Sequence, residues 1–332
     1  MLDGWELQDH PILEVWWCSH LKLMSVIIVK GLSIHQYWEI PGPVQETKKS
    51  TDQWVEELNE LIIDAVRIRL RADVPVAAYL SGGLDSTYIT ALVKRHFNNR
   101  LKTFSVGFSD PAYDESHFQK KAVNFLGTDH QETSCSHGDI GEIFPEVIFH
   151  AETPLLRTAP APLMHLARQV KRSGLKVILT GEGADEIFAG YNIFKEDKVL
   201  RFWAKFPESQ IRPRLLEKLY PYIFSQNNAR ATKYLETFFK KGMEHLDSPT
   251  ASHRTRWENT SHTHTFFSRD FLSTPFNLEH FIQRFIPFLP DGFMARDPLS
   301  RAQYIEQKTF LPNYLLSSQG DRMSMAGSIE GR

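Results

Sequence analysis

Two short glycine-rich segments hold the side chains best suited to chemistry. The first, residues 81–86, reads Ser-Gly-Gly-Leu-Asp-Ser and follows the apolar run 76–80. Adjacent glycines let the backbone approach a ligand closely, and the amide groups at the start of a following helix attract an anion. Asp85 would repel a phosphate unless a divalent cation bridged the two. The segment therefore predicts a polyphosphate-binding loop that supplies its own metal ligand.

The first segment differs from the common P-loop. That motif requires Gly-x-x-x-x-Gly-Lys-Ser/Thr, and residues 81–86 contain no lysine. A strand-to-helix turn without a ligand is the alternative for a pair of glycines alone. All six residues together, between an apolar run and a helical pattern, favour the phosphate loop.

The second segment is residues 180–186, Thr-Gly-Glu-Gly-Ala-Asp-Glu, which follows the run 176–179. Its three carboxylates repel one another unless a cation or a basic substrate group offsets them. A solvated acidic turn is the alternative. The presence of two such loops in one chain favours a shared binding site.

Apolar and helical patterns alternate along this part of the chain, after a helix that is predicted to begin at Thr51–Asp52. Such alternation is typical of βαβ units and predicts an α/β fold, a parallel sheet with helices on both faces. Ligands bind such sheets beyond the carboxyl ends of the strands, where both loops are expected. The predicted elements are 76–80, 87–97, 102–107, 114–126, 130–134, 139–150, 162–173 and 176–180.

The two segments together resemble the synthetase domain of glutamine-hydrolysing asparagine synthetases. The resemblance runs from about residue 33 to the end. It implies an adenine nucleotide alpha hydrolase-like fold of the ATP pyrophosphatase type, followed by a mostly helical C-terminal part. Further stretches that match the family are Thr-Phe-Ser-Val-Gly-Phe at 103–108, Tyr-Asp-Glu-Ser at 113–116, Leu-Gly-Thr-Asp-His at 126–130, Glu-Thr-Pro at 152–154 and the segment 319–332.

The resemblance implies a reaction. It is the ATP-dependent amidation of aspartate to asparagine through a β-aspartyl-adenylate, with release of AMP and pyrophosphate and with ATP and Mg²⁺ bound. Glu182 matches the family's general base, and the metal is assigned to Asp85 and Asp185. The residues implied to contact ATP or pyrophosphate are Leu80, Ser81, Gly82, Gly83, Leu84, Asp85, Ser86, Val106, Gly107, Thr180 and Gly181.

The chain departs from the family at both ends. Residue 2 is Leu, where the family's glutaminase domain has its nucleophilic cysteine, and the family continues beyond a sequence like the final Glu-Gly-Arg. We therefore expect a domain truncated at both ends, without glutaminase activity of its own. The expected division is a glutaminase-domain remnant at 1–40, a linker at 41–50 and the synthetase domain at 51–332, with a nucleotide-binding part (51–194) and an incomplete helical part (195–332).

Three functions remain open at this point. The first is asparagine synthesis, with aspartate and ammonia as substrates and either a separate glutaminase subunit or self-association. The second is amidation of another carboxylate in a specialised pathway. The third is a non-catalytic protein that binds a nucleotide or a partner chain.

Composition limits the class of protein. The chain has 332 residues, a formal charge of −2 and 42% hydrophobic residues, which suits one large globular domain or two smaller ones. That charge argues against nucleic acid as a partner. The two cysteines, Cys18 and Cys135, favour a reducing compartment, and no signal peptide or membrane span is apparent, so a cytoplasmic location is expected.

The C-terminal part is rich in phenylalanine. The pattern favours a helical core or a partner interface over an aromatic binding surface. His253, His262 and His264 lack the spacing of a zinc site and are predicted to be surface residues.

Overall fold

The computed structural model describes the backbone of residues 22–27 and 31–36 and, beyond these, residues 38–42, 48–98, 100–111, 113–155, 157–220, 237–268, 270 and 276–332. They form two compact units. The first unit contains the two early strands, residues 48–184 and residues 309–332, and the second contains residues 38–42 and 185–308. Cys18 and residues 43–47 of the predicted linker lie outside the described residues.

The strands of the first unit form two sheets. Strands β1 (Lys22–Ile27) and β2 (Gly31–Gln36) pair with each other in antiparallel register. The second sheet has the order β5-β4-β3-β6-β7, and every pair in it is parallel. Its strands are β3 (Val76–Tyr79), β4 (Lys102–Phe108), β5 (Asp129–Cys135), β6 (Val177–Leu179) and β7 (Glu330–Gly331).

Helices cover both faces of the parallel sheet, as the sequence predicted. Because successive side chains of a strand point to opposite faces, Ala77 and Ala78 belong to different core clusters. Ala77 packs with Leu166 and Val170, whereas Ala78 packs with Leu92. The helices of this part are α1 (Thr51–Arg69), α2 (Leu84–His96), α3 (Ser116–Leu126), α4 (His137–Ala151) and α5 (Pro160–Arg172).

The first helix begins where the sequence predicted. Ser50 caps α1: its hydroxyl accepts a hydrogen bond from the Gln53 amide at 3.2 Å, and the Gln53 side chain accepts one from the Ser50 amide at 2.9 Å. This reciprocal capping box satisfies two amides that the helix leaves unpaired.

Residues 309–332 return to the parallel sheet and add its edge strand. Val177 of β6 pairs with Glu330 of β7, and the Glu330 amide donates to the Lys176 carbonyl at 2.7 Å. The Thr180 amide donates to the Arg332 carbonyl at 2.8 Å. This two-residue strand was not predicted. Before this strand the chain forms a π-helix (Leu311–Asp321) and the last α-helix (Arg322–Ala326). The last helix is α12, because six helices, α6 to α11, come before it and are given below.

The second unit is helical, as predicted. Its aromatic residues build cores: Trp203 and Phe239 are buried in one cluster with Leu200 and Leu216. The helices are α6 (Ala184–Phe188, which begins in the first unit), α7 (Asn192–Ala204), α8 (Leu215–Leu219), α9 (Ala251–Ser261), α10 (Leu278–Phe285) and α11 (Pro298–Phe310). Among the described residues, no helix is both long enough and apolar enough to cross a bilayer.

The prediction that His253 lies on the surface is wrong. It is buried on α9, and its Nε2 atom lies 2.6 Å from Oε2 of the buried Glu306 on α11. Its Nδ1 atom lies 2.9 Å from the Ser252 hydroxyl. The sequence alone gives no sign of this contact, since the partner carboxylate is on a distant helix.

Glu306→Ala is expected to destabilise the protein by about 3–5 kcal/mol, because it leaves a buried imidazole without its partner. The measurement is denaturant unfolding of the variant against the parent. Glu208→Ala, at an exposed position of the same unit, is the matched control and should shift unfolding little. Equal stability of the two variants would show that the pair contributes nothing.

Candidate active site

The first predicted loop joins β3 to α2. Leu80 is fully buried and its amide donates to the Phe104 carbonyl at 2.9 Å, which fixes where the loop leaves the sheet. Gly82 has a φ of +82°, and a Cβ there would lie 2.6 Å from the Gln119 nitrogen. Gly83 is the N-cap of α2 and offers no side chain to its first amides. The helix start is therefore available to an anion.

The two serines of this loop hold its shape. The Ser81 and Ser86 hydroxyl oxygens lie 2.9 Å apart, and the Ser86 hydroxyl also accepts from the Ser81 amide at 3.2 Å. The Gly83 amide donates to the Ser81 hydroxyl at 3.2 Å. Ser86 is buried, whereas Leu84 is 83% exposed and Asp85 is half-buried. Both serines thus brace the loop in addition to the phosphate contacts predicted for them.

The two predicted loops meet at Gly181. A Cβ on Gly181 would lie 3.0 Å from the Ser86 nitrogen and 3.3 Å from the Asp85 Cβ. A side chain at position 181 would therefore occupy the space in front of the α2 amides. This close approach joins two segments that are far apart in the sequence, and it requires a residue without a side chain at position 181.

Val106 and Gly107 lie near the end of β4, beside β3. The Val106 carbonyl accepts from the Gln119 side chain at 2.9 Å, and Gly107 is buried with Glu132 close to its missing Cβ. Asp114 closes this region: it accepts from the Ser116 hydroxyl at 2.7 Å and the Phe108 amide at 3.2 Å, and these bonds lower the pKa of Asp114. The predicted adenosine strand thus ends at the same sheet edge as the two loops.

A cleft opens beside the second loop. Thr180 and the exposed Glu182 line this cleft. The Thr180 amide donates its hydrogen bond to the Arg332 carbonyl. Six of the remaining nine lining residues lie in the segment 319–332, which the sequence matched to the family without giving them a role; Leu163 and Leu316 were not singled out at all. The full lining is Tyr79, Leu163, Thr180, Glu182, Leu316, Gln319, Gly320, Asp321, Ser324, Gly331 and Arg332.

Burial and neighbouring groups shift two pKa values in this cleft. Desolvation raises the pKa of Asp321, and the adjacent Arg322 opposes that shift. Burial also raises the pKa of Tyr79 well above its usual range, so its hydroxyl stays protonated. Arg322 itself is ion-paired with Glu152, the residue in left-handed backbone conformation that ends α4.

Asp185 belongs to the second unit. The position of the Asp185 side chain requires a glycine at residue 190, because a Cβ there would overlap the Asp185 carboxylate. The neighbouring Glu186 is buried and accepts from the Tyr191 hydroxyl at 2.9 Å, and desolvation raises the pKa of Glu186. The end of the Gly-Glu-Gly-Ala-Asp-Glu segment is thus held by the Ala-Gly-Tyr sequence that follows it.

The described residues contain no group of three or more His, Cys, Asp or Glu side chains that could hold a metal ion by themselves. Mg²⁺ does not require such a group, since one or two carboxylates and the substrate phosphates usually hold it. Asp85, one residue beyond the start of α2, is a carboxylate of the kind that such an ion uses.

Gly82→Ala is expected to destabilise the first unit by about 1–3 kcal/mol. The new Cβ would meet the backbone of α3, and the positive φ is costly for alanine. Thermal unfolding measures the effect, with Gly141→Ala as control, because a Cβ there meets nothing within 4 Å. A Gly82→Ala protein as stable as the control would contradict this loop geometry.

Comparison with known proteins identifies the family to which the chain belongs. The family model described as Asparagine synthase matches residues 57–332. The chain is 29% identical to the amidase chyE of Penicillium rubens over 89% of its length and 46% of that protein. It is 29% identical to asparagine synthetase (glutamine-hydrolyzing) 1 of Bacillus subtilis, over 87% of this chain and 43% of that protein. The chain is also 29% identical to the amidase chry2 of Gibberella zeae, over 90% of this chain and 47% of that protein. The chain spans just under half the length of these relatives.

Proposed function

Because the chain belongs to the asparagine synthase family, we propose that it catalyses the ATP-dependent amidation of a carboxylic acid through an acyl-adenylate. The observation that carries this proposal is the contact of Gly181 with the Ser86 amide. It sets the loop bearing Glu182 against the helix start that is suited to phosphate. Similarity to an asparagine synthetase supports a ligase-type enzyme.

The first chemical step is activation of the acid. A carboxylate oxygen attacks the α-phosphorus of ATP, the α–β phosphoanhydride bond breaks, and pyrophosphate leaves. The amides at the start of α2 would bind the pyrophosphate, and Asp85 would hold Mg²⁺ against it. Phosphoryl-type transfer depends mainly on such positioning and charge neutralisation. The metal role predicted for Asp185, in the second unit, stays a prediction.

The second step forms the amide. Ammonia attacks the carbonyl carbon of the acyl-adenylate, the nitrogen loses a proton, and AMP leaves with the bridging oxygen. Glu182 is the proposed proton acceptor, since it is the acidic side chain of the second loop that lines the cleft. Val106 and Gly107 are proposed to flank the adenosine.

Two classes of acid are candidates for the substrate. Aspartate is the acid that the resemblance implies, and asparagine would then be the product. Similarity to two proteins named as amidases favours keeping another carboxylic acid as the second candidate. Ammonia is the proposed nucleophile in both cases.

Product analysis tests the reaction type. With acid, ammonia and Mg-ATP present, we expect AMP and pyrophosphate to form together with the amide, and each product to depend on the acid. Formation of ADP and inorganic phosphate instead would indicate an acyl phosphate and would contradict the proposal.

A further inference from the structure

The first helix carries an apolar stripe on its exposed side. The stripe repeats at alternating intervals of four and three residues along α1, and its members are Trp54, Leu58, Leu61, Ala65 and Ile68. All five are exposed, and Leu61, the central one, is 68% exposed. Alternation of four and three is the spacing at which a helix presents a continuous seam to a second helix. The stripe therefore suits pairing with another helix.

The core of the first unit uses the other side of α1. Val66 is buried in a cluster with Leu92 of α2, and Ile62 and Ile63 pack against that cluster. A helix on the surface of a domain has one apolar face, which it buries, and a polar face toward water. Because α1 is apolar on two sides and the core covers only the side of Val66, the stripe has the character of an interaction surface.

The charges of α1 identify a partner. The first ten residues of the helix hold no lysine or arginine and four carboxylates, which are Asp52, Glu56, Glu57 and Glu60. The remaining residues, 61–69, hold Arg67 and Arg69 and a single acid, Asp64. A second copy of α1 in antiparallel orientation brings each acidic half against a basic half and sets the two helix dipoles in opposition. Parallel pairing would instead bring like charges together.

We propose that α1 is a homodimer contact, in which the stripe packs antiparallel against the same stripe of a second copy of this chain. A pairing centred on Leu61 sets Leu58 opposite Ala65 of the second copy, so that a large side chain meets a small one. Because the two surfaces are identical, the contact closes as a two-fold dimer. One seam of this length is smaller than a standard protein interface, and we expect a dissociation constant in the micromolar range.

Two ion pairs within the single chain already involve charges beside the stripe. Lys49 lies 2.6 Å from the Glu57 carboxylate, and Arg67 lies 2.5 Å from Asp64. All four side chains are partly exposed, and exposed ion pairs contribute little stability. These charges can therefore pair across the dimer without a large cost to the single chain.

Sedimentation equilibrium of the full chain measures the contact. Between about 1 and 200 µM the mean mass is expected to rise from the 38.4 kDa of one chain toward twice that value. The rise should be smaller at high salt, because salt screens the attraction between the two halves. A monomer at every concentration would overturn the proposal.

Leu61→Lys is expected to weaken the dimer at least about tenfold, because two ammonium groups would meet at the two-fold axis. Since Leu61 is exposed in the single chain, the variant should unfold at the parent's temperature in dilute solution, which separates loss of the dimer from loss of the fold. Ile148→Lys is the matched control, because Ile148 is an exposed aliphatic residue of α4 in the same unit. Association that Leu61→Lys leaves unchanged, or that both variants weaken equally, would overturn the proposal.

Cysteine variants test the orientation and the occupant. Trp54→Cys mixed with Ile68→Cys should form a disulfide between chains under mild oxidation, whereas either variant alone should not. The parent, with Cys18 and Cys135 only, gives the background. Disulfide-linked dimers of each variant alone would indicate parallel pairing and overturn the antiparallel contact. A monomer in which the thiol of Leu61→Cys resists alkylation would overturn the proposal in another way, by showing that part of the same chain covers the stripe.

Discussion

Glu182→Gln is expected to bind Mg-ATP like the parent protein and to form amide at least about 100-fold more slowly. Glutamine keeps the shape of the side chain but cannot accept the proton that the attacking nitrogen must lose. Single-turnover amide formation and equilibrium nucleotide binding, measured on the same preparation, give the two quantities. The rate effect should appear in the step that consumes ammonia.

Glu142→Gln is the control for this experiment, because Glu142 is an exposed residue of α4 outside the cleft. It should change neither quantity. A Glu182→Gln protein that makes amide at the parent's rate would remove Glu182 from the mechanism. Equal loss of nucleotide binding and of rate would instead indicate that the substitution disturbs the loop.

Asp85→Asn is expected to weaken ATP binding at least about tenfold in the presence of Mg²⁺. The substitution removes the carboxylate that would hold the ion beside the α2 amides, and it leaves the backbone of the loop unchanged. Without Mg²⁺ the loss of affinity should disappear or become a gain, since the carboxylate then only repels the phosphates. Isothermal titration with and without the metal measures both states.

Asp73→Asn, at an exposed position before β3, is the control for Asp85→Asn. It removes the same charge at a position away from the loop and should leave both affinities unchanged. If Asp85→Asn binds Mg-ATP as tightly as this control, the metal assignment is wrong.

The sequence was sufficient to predict the parallel sheet and the edge at which the two loops lie. Strands that are joined through helices place their carboxyl ends together, so Ser86 and Gly181 were expected to be near each other. The start of α1 at Thr51 was also predicted, because it depends on local residues; the cap found there joins Ser50 and Gln53, which are three residues apart.

Other features depend on contacts between distant residues and carry no local pattern. The edge strand β7 is two residues long, too short for a recognisable alternation, and its register is set by hydrogen bonds to β6. The burial of His253 requires Glu306 from another helix. Leu316 and Asp321 line the cleft from within a π-helix, which sequence patterns do not predict.

Transfer of oxygen from the acid to AMP tests the acyl-adenylate most directly. The acid that supports the fastest pyrophosphate exchange is labelled with ¹⁸O in its carboxylate and is converted with Mg-ATP and ammonia, and the AMP is then analysed by mass spectrometry. The proposed reaction predicts one ¹⁸O atom in each AMP formed, because the carboxylate oxygen that attacks the α-phosphorus leaves with it. Unlabelled AMP, or label found in inorganic phosphate, would contradict the account.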